Sequence, residues 1–484
     1  MSSDEQVRAT GPEDWPVETW REAGRRFLDL AASVSTGWPE RPPAPRDAST
    51  IAERFRQPLP ETATDLATLA DRIEREVAPM SAYNGHPRWF AYITGAPLPI
   101  SVLGDLAASA LNQNLGGWRI APAATAIELQ TVDWLKELLG YPADAEGVFV
   151  SGGQMANIVA QAVFRDAKAP WDVRRHGLRG PGGAALRLRV YASSEAHYCH
   201  EQAAELLGLG RESVRLVLVD EEYRMRPDAL RALIAEDRAR GDLPIAVVGT
   251  GAVDPLAALR AVANDEDLWL HVDGAYGAFA TLAPSCPPEL RLIAEADSIA
   301  CDPHKWLFQP IDAGVVLVRE PGLLERSFGF HPAYLEMDRA QDEVDLFERS
   351  PENTRPFRAL KVWLALQAYG RSGYAEMIER NLQLAALMER LVRETPGLVL
   401  AAPRELSIVC WRFEPPGVSD AERLQTDVIR DLEARGIAMV SNARLRDGRT
   451  AIRACIVNFR TSAQDVRAVV EASAAIGREV AAQP

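Results

Sequence analysis

The chain has 484 residues, more than one hydrophobic core usually holds, so two or three domains are expected. Apolar residues at 47% and charged residues at 25% are ordinary for a soluble globular enzyme. A formal net charge of −15, with only short arginine clusters (Arg174-Arg175, Arg187 and Arg189) set against it, argues against nucleic acid as a partner. The cysteines (Cys199, Cys286, Cys301, Cys410 and Cys455) are scattered, lack paired spacing, and read as free thiols of a reducing compartment. The N-terminal stretch is acidic and polar without an apolar signal core, and no run long enough to span a bilayer follows. The expected setting is cytoplasmic, with no membrane partner.

In chain order, residues 1–13 read as a disordered tail and 14–99 as a helical and extended arm. Asp14 is placed to cap a helix opening at Trp15-Pro16, with Trp20, Phe27, Leu28 and Leu30 on its apolar side. The proline-rich run 38–45 must be extended, because each proline disfavours a helical residue before it. An arm with so little core of its own is expected to pack on another part of the protein or on a second subunit. A helical pattern returns over 63–77, and the aromatic, turn-like segment 86–95 either lines a pocket or packs as a loop.

From about residue 100 helices alternate with buried strands, as in a parallel α/β sheet. The strand candidates are 147–150, 188–192, 214–219, 244–249, 268–273, 298–301 and 313–318, which assigns 100–375 to a large domain. A long helix to about Glu394, strands at 407–413 and 451–459, and helices at 421–434 and after 461 make 376–484 a smaller α/β domain. Thr461 and Gln464 fit a capping box for the last helix.

The chemistry gathers at strand ends. Asp302-Pro303-His304-Lys305-Trp306 follows an apolar strand, and Lys305 lies 32 residues after Asp273 of His271-Val272-Asp273-Gly274-Ala275. A lysine between a buried strand and Trp306-Leu307-Phe308 would be costly to bury as an unpaired ammonium. It can condense with an aldehyde once burial or neighbouring charge lowers its pKa. Lys305 therefore reads as the Schiff-base lysine of pyridoxal 5'-phosphate (PLP), and Asp273 as the carboxylate that keeps the pyridine nitrogen protonated. Ser151-Gly152-Gly153-Gln154 joins a strand to a helix and offers exposed amides and a helix dipole to a phosphate; read alone, it is also an ordinary tight turn. It lacks Gly-Lys-Ser/Thr, so it is not a nucleotide P-loop, and Gly249-Thr250-Gly251 fails as a dinucleotide fingerprint because Asp254 stands at the third glycine. His197, just past a strand, could stack on a planar cofactor or serve as a local hydrogen-bonding residue. Zinc at His197, Cys199 and His200 is disfavoured, since no second ligand pair accompanies them, and no metal is expected.

Together and in this order, these motifs resemble the group II PLP-dependent amino acid decarboxylases, from about Trp20 to Ile476. The resemblance implies an aspartate aminotransferase-type (fold type I) α/β fold: a large domain with a mainly parallel seven-stranded sheet and a smaller C-terminal domain. It also implies a homodimer with shared active sites. By that resemblance His197 stacks on the ring, Asp273 holds its nitrogen, and Gly153, Gln154 and His304 lie around the phosphate. Ala275 and Thr250 are further cofactor contacts, while Asn353 and Thr354 reach the partner's phosphate. Tyr334, on a polar loop running to Thr354, would return a proton to the α-carbon after CO2 leaves; phenylalanine there marks aldehyde-forming relatives. Tyr92, Ile93, Thr94 and Trp118 fall where the family lines its side-chain pocket, with Asn114 and Gly116 replacing bulkier apolar residues. An aromatic amino acid substrate is expected, with acidic ones open. One departure is the shortened loop at 249–255, which could loosen the cofactor, alter the reaction or silence the protein. The alternatives are an aldehyde synthase, an aminotransferase, or a catalytically silent dimer kept as a binding module.

Overall fold

The computed structural model describes residues 15–37, 41–43, 51–181, 183, 186–251, 254–330, 343–417 and 420–482. The tail 1–13, Asp14, most of the proline-rich run and Tyr334 lie outside the described residues.

Seven short apolar runs form the main sheet: β1 (Glu146–Val150), β2 (Leu188–Ser193), β3 (Val214–Val217), β4 (Leu243–Thr250), β5 (Trp269–Asp273), β6 (Ser298–Cys301) and β7 (Gly314–Val318). Each coincides, within two residues, with a strand expected from sequence, because a strand covered on both faces must be apolar at successive positions. Phe149, Tyr191, Val247, Leu270 and Leu317 feed the core on one face, while Val148, Val190, Val248, Ala300 and Val316 feed the core on the other.

The strand order is β1-β7-β6-β5-β4-β2-β3. Pairing is parallel from β3 through β2, β4 and β5 to β6, but β7 runs antiparallel to both β6 and β1. The sheet is therefore mainly parallel, as expected, but mixed, with β7 the reversed strand. Residues 302–313 turn the chain straight back instead of crossing over, and His304 N donates to Ala313 O at 3.3 Å to close that turn. Since β1 and β6 both oppose β7, they point the same way. The carboxyl ends of β1, β2, β4, β5 and β6 thus share one edge of the sheet, the usual place for a ligand in such folds.

A second, antiparallel sheet has the order β10-β11-β9-β8, built from β8 (Leu398–Leu400), β9 (Ile408–Phe413), β10 (Ser441–Arg444) and β11 (Thr450–Cys455). Helices Ala421–Ala434 and Ala463–Ala481 pack with it around Trp411, Phe413, Val428 and Val466. The helix Ala359–Glu394 leads into it, broken at Gly370, whose φ of 63° suits glycine. The last helix is capped by Ser462 and Asp465, one residue later than expected; Thr461 Oγ1 donates instead to Pro87 O at 2.7 Å.

The N-terminal helix forms as Val17–Thr36 without a side-chain cap, and its expected apolar side buries no residue in this chain. A short helix Ile51–Arg54 follows, and the helical stretch expected over 63–77 starts at Leu66, capped by Asp65. The segment 86–98 bridges the two sheets. Phe90 is buried in the second core, with its amide on Met439 O at 2.8 Å, while Leu98 N donates to Phe308 O at 2.9 Å beside the main sheet.

The turn after β5 is seated against the shortened loop after β4. A methyl group at Gly277 would lie 1.8 Å from the Gly251 carbonyl oxygen, so the two backbones touch. Gly277→Ala is therefore expected to destabilise the protein by about 3 kcal/mol, measured as a lower denaturant midpoint with an unchanged slope. A wild-type midpoint would show that this contact is loose.

Candidate active site

Asp273 ends β5 as a largely buried carboxylate, its side chain 11% exposed, with several donors. Its Oδ2 accepts from Asn157 Nδ2 at 3.0 Å and from His200 Nε2 at 3.1 Å, while its Oδ1 accepts from Ala275 N at 3.1 Å. Burial alone would raise the Asp273 pKa, but the His200 hydrogen bond and the charges of His200 and Lys305 hold it well below the usual carboxylate range. His200 responds in kind. Burial opposes its charge, yet the bonds to Asp273 and Cys199 push its pKa up to about 10.

Lys305 lies on the short helix Pro303–Trp306 after β6, with Nζ 3.0 Å from Asp302 Oδ2. Burial works against the ammonium, but Asp302 and Asp273 together hold the Lys305 pKa above its usual value. This corrects the expectation of a lowered pKa: two carboxylates outweigh desolvation here. Asp302 Oδ1 is buried without a hydrogen-bond partner, and it is one sign that the pocket is arranged for a further polar group.

The glycine turn meets the lysine segment directly. A methyl at Gly153 would lie 2.7 Å from Asp302 Oδ2 and 2.9 Å from Ala275 Cβ; one at Gly152 would lie 3.4 Å from His304 Cε1. No side chain caps the helix Gly153–Lys168, so its first amides are open to an anion. His304 Nδ1 donates to Ala313 O at 2.7 Å, which fixes its ring beside that turn. Gln154 Nε2 donates to Gln202 Oε1 at 2.9 Å near the surface. A lysine amine, a buried carboxylate and an uncapped glycine turn on one sheet edge are the donor set that PLP needs for its aldehyde, ring nitrogen and phosphate.

The remaining expected residues fall into two groups. His197 is exposed just past β2, its Nδ1 accepting from Cys199 N at 3.2 Å and its ring 4.3 Å from that of Tyr198. Thr250 pairs with Asp273 across the sheet, and its hydroxyl donates to Asp254 Oδ2 at 2.9 Å. The segment holding Tyr92, Ile93 and Thr94 packs on the lysine turn, since a methyl at Gly95 would lie 2.4 Å from Lys305 O. Tyr92 is exposed, and Thr94 Oγ1 accepts from Trp89 Nε1 at 2.9 Å. Trp118, Asn353 and Thr354 belong to a separate cluster. Trp118 N donates to Asp345 Oδ1 at 2.7 Å, Phe347 N to Gly116 O at 3.0 Å, and a methyl at Gly116 would lie 2.5 Å from Asn353 O. Residues 343–354, the end of the expected polar loop, are thus packed, with Leu346, Glu348 and Ser350 buried.

Asn157, His200 and Asp302 received no cofactor role from sequence. Their signal was spacing: Asn157 follows Gly153 by one helical turn, His200 follows His197 by nearly one, and Asp302 stands three before Lys305. Among the described residues, Cys199, His200 and Asp273 bring potential metal-ligand atoms within 4.8 Å of one another, a different trio from the zinc set weighed on sequence. Asn157 Nδ2 lies 3.0 Å from Asp273 Oδ2 and 3.4 Å from Cys199 Sγ, so the amide hydrogens already engage two of those three atoms.

These features define a PLP site. The chain belongs to the family described as the pyridoxal-dependent decarboxylase conserved domain, whose model matches residues 49–414. It is 32% identical over 476 residues to an aromatic-L-amino-acid decarboxylase of Bacillus atrophaeus, covering 96% of each chain. It is also 32% identical to an L-2,4-diaminobutyrate decarboxylase of Rhizobium meliloti (strain 1021), covering 87% of this chain and 84% of the relative. Oryza sativa TDC, solved with PLP and tryptamine, superposes with a TM-score of 0.89 at 25% identity, covering 98% of this chain and 100% of that one.

With a folded pKa of about 10 against an ordinary 6.5, His200 contributes stability that is complete below pH 6.5 and is lost as pH rises through about 10. The cofactor-free protein is expected to lose stability across that window, and His200→Gln to flatten that part of the profile. Denaturant unfolding across this pH range checks it; parallel profiles for the two proteins would refute the assignment.

Proposed function

We propose that this chain decarboxylates an aromatic L-amino acid to its amine and CO2, working as a cytoplasmic homodimer. The observation that carries the site roles is the joint placement of Lys305 and the donor-held Asp273 on one sheet edge beside the glycine turn. PLP, when bound, supplies the electron sink for the pair left behind by CO2. Lys305 would hold that group through its Nζ, where the substrate's amino group would compete for it. Asp273, kept ionised, holds the proton on the ring nitrogen. The amides at Gly153 and Gln154, with His304, would bind the phosphate, Ala275 and Thr250 would border the ring, and His197 would cover its face. Tyr334 Oη then delivers a proton to the α-carbon. The protein chooses the bond that breaks by orientation and by keeping water from the site.

The aromatic preference is supported by the near full-length similarity to the aromatic-L-amino-acid decarboxylase and by the segment Tyr92-Ile93-Thr94 beside Lys305. The diaminobutyrate decarboxylase is the reason to test other side chains. A silenced protein is disfavoured by the knitting of the shortened loop: Asp254 is buried and accepts from Thr250 N, Thr250 Oγ1 and Met225 N, while Gly251 N donates to Asp273 O at 2.8 Å.

Two copies are favoured because Val17, Trp20 and Leu28 are 62%, 60% and 44% exposed, leaving an apolar helix face uncovered. Asn353, Thr354 and Trp118 would then complete the partner's site. Sedimentation should give a dimer; a monomer at micromolar concentration would remove the shared-site reading. All the cysteines are unpaired and buried, in keeping with a reducing compartment, and no helix of the described residues is long and apolar enough to cross a membrane.

CO2 release from tyrosine, tryptophan and phenylalanine should exceed that from glutamate and 2,4-diaminobutyrate; the reverse order would overturn the aromatic assignment. Tyr334→Phe is expected to cut amine formation by about a hundredfold and shift product toward aldehyde, read by chromatography of the products. Unchanged amine output would place the proton donor elsewhere.

A further inference from the structure

Behind Asp273 a string of hydrogen bonds runs along one face of the main sheet, under the helix Gly153–Lys168, to Trp269 on the same strand. Trp269 Nε1 donates to Ser298 Oγ at 2.8 Å, Ser298 Oγ lies 2.8 Å from His271 Nδ1, and His271 Nε2 lies 2.7 Å from Asn157 Oδ1. Asn157 Nδ2 then donates to Asp273 Oδ2 at 3.0 Å. Trp269, Ser298, His271 and Asn157 are 6%, 0%, 0% and 1% exposed, so the string is shut off from bulk solvent.

The direction of every bond follows from the two ends. An indole nitrogen can only donate and an ionised carboxylate can only accept. Asp273 therefore requires the NH2 of Asn157, which turns Asn157 Oδ1 toward His271 and requires a proton on His271 Nε2. Burial, then the nearby charge of His200, lowers the His271 pKa to about 3, so the ring is neutral and Nδ1 carries no proton. Ser298 must then donate its single proton to Nδ1, leaving its oxygen to accept from Trp269. The string runs one way, and no member can flip without leaving a buried polar group unmatched.

We infer that Asn157 and His271 are positioning residues: the string fixes the Asn157 amide on Asp273 Oδ2 and so reserves Oδ1 for the ring nitrogen of PLP. Oδ2 already holds Asn157 and His200, whereas Oδ1 holds the Ala275 amide and keeps acceptor capacity. His271 does no proton chemistry in this arrangement. It passes orientation from the strand interior to the cofactor edge. The inference rests on the PLP reading above and adds residues that never touch the cofactor.

The test is PLP titration of the cofactor-free protein, followed by absorbance, with thermal midpoints recorded on the same samples. Asn157→Leu keeps the volume and removes both donors. It should weaken PLP binding at least about tenfold and shift the pH at which the bound-cofactor band changes. Ser298→Ala, three hydrogen bonds from Asp273, should weaken binding by a smaller factor, about threefold, and Ser298→Thr should restore it. Ser298→Ala decides the matter should Asn157→Leu fail to fold. Wild-type affinity and an unmoved band in Ser298→Ala, with only the thermal midpoint lowered, would mean that the string is structural and would overturn the inference. A wild-type protein that takes up no PLP would instead remove the cofactor reading, and the inference with it.

Discussion

A carboxylate cannot stay ionised inside a protein unless donors surround it, and the Asp273 edge is built to meet that condition. Its partners come from different parts of the fold: Asn157 from the helix after β1, His200 from the helix after β2, and the Ala275 amide from the turn after β5. Lys305, after β6, adds its charge. These groups can meet only because the strands ending there run the same way, so the sheet topology and the charge on Asp273 stand or fall together.

The same economy of charge explains the resting state of the lysine. Without a cofactor, the Lys305 ammonium is the counter-ion of Asp302, and both lie in a pocket that would reject either alone. Binding a dianionic phosphate at the glycine turn and a protonated ring at Asp273 would rearrange that balance. The pocket is therefore stable before loading yet arranged for exchange. Residues 92–95 pack on the lysine turn, while 114–118 and 345–355 are tied to one another in a cluster. Such a cluster makes sense as a contribution to the neighbouring copy in the proposed dimer.

Much of this was legible in the residues. Strands buried on both faces are apolar at successive positions, so all of the main-sheet strands could be read, and Lys305 and Asp273 stood out as charges at apolar strand ends. The direction of β7 was not legible, because nothing in an apolar run of five residues says which way its chain returns. β8 and β10 were missed for a related reason: β10 is Ser-Asn-Ala-Arg, a half-exposed edge without an apolar signature. The cap of the last helix was misplaced by one residue because Thr461 and Ser462 both suit it, and only the contact with Pro87 decides between them. Asn157, His200 and Asp302 carry little local signal, since their significance is the Asp273 and Lys305 that folding sets beside them. Raising rather than lowering the Lys305 pKa likewise depends on two carboxylates meeting one amine in space.

The central claim is that Lys305, and no other lysine, holds PLP on this edge. Borohydride reduction of the PLP-loaded protein, followed by peptide mapping, tests it most directly. The account predicts a bleached visible band and the reduced label on Lys305 alone, with no label retained in Lys305→Ala. Label on a different lysine, or no band at all in the wild-type protein, would contradict it.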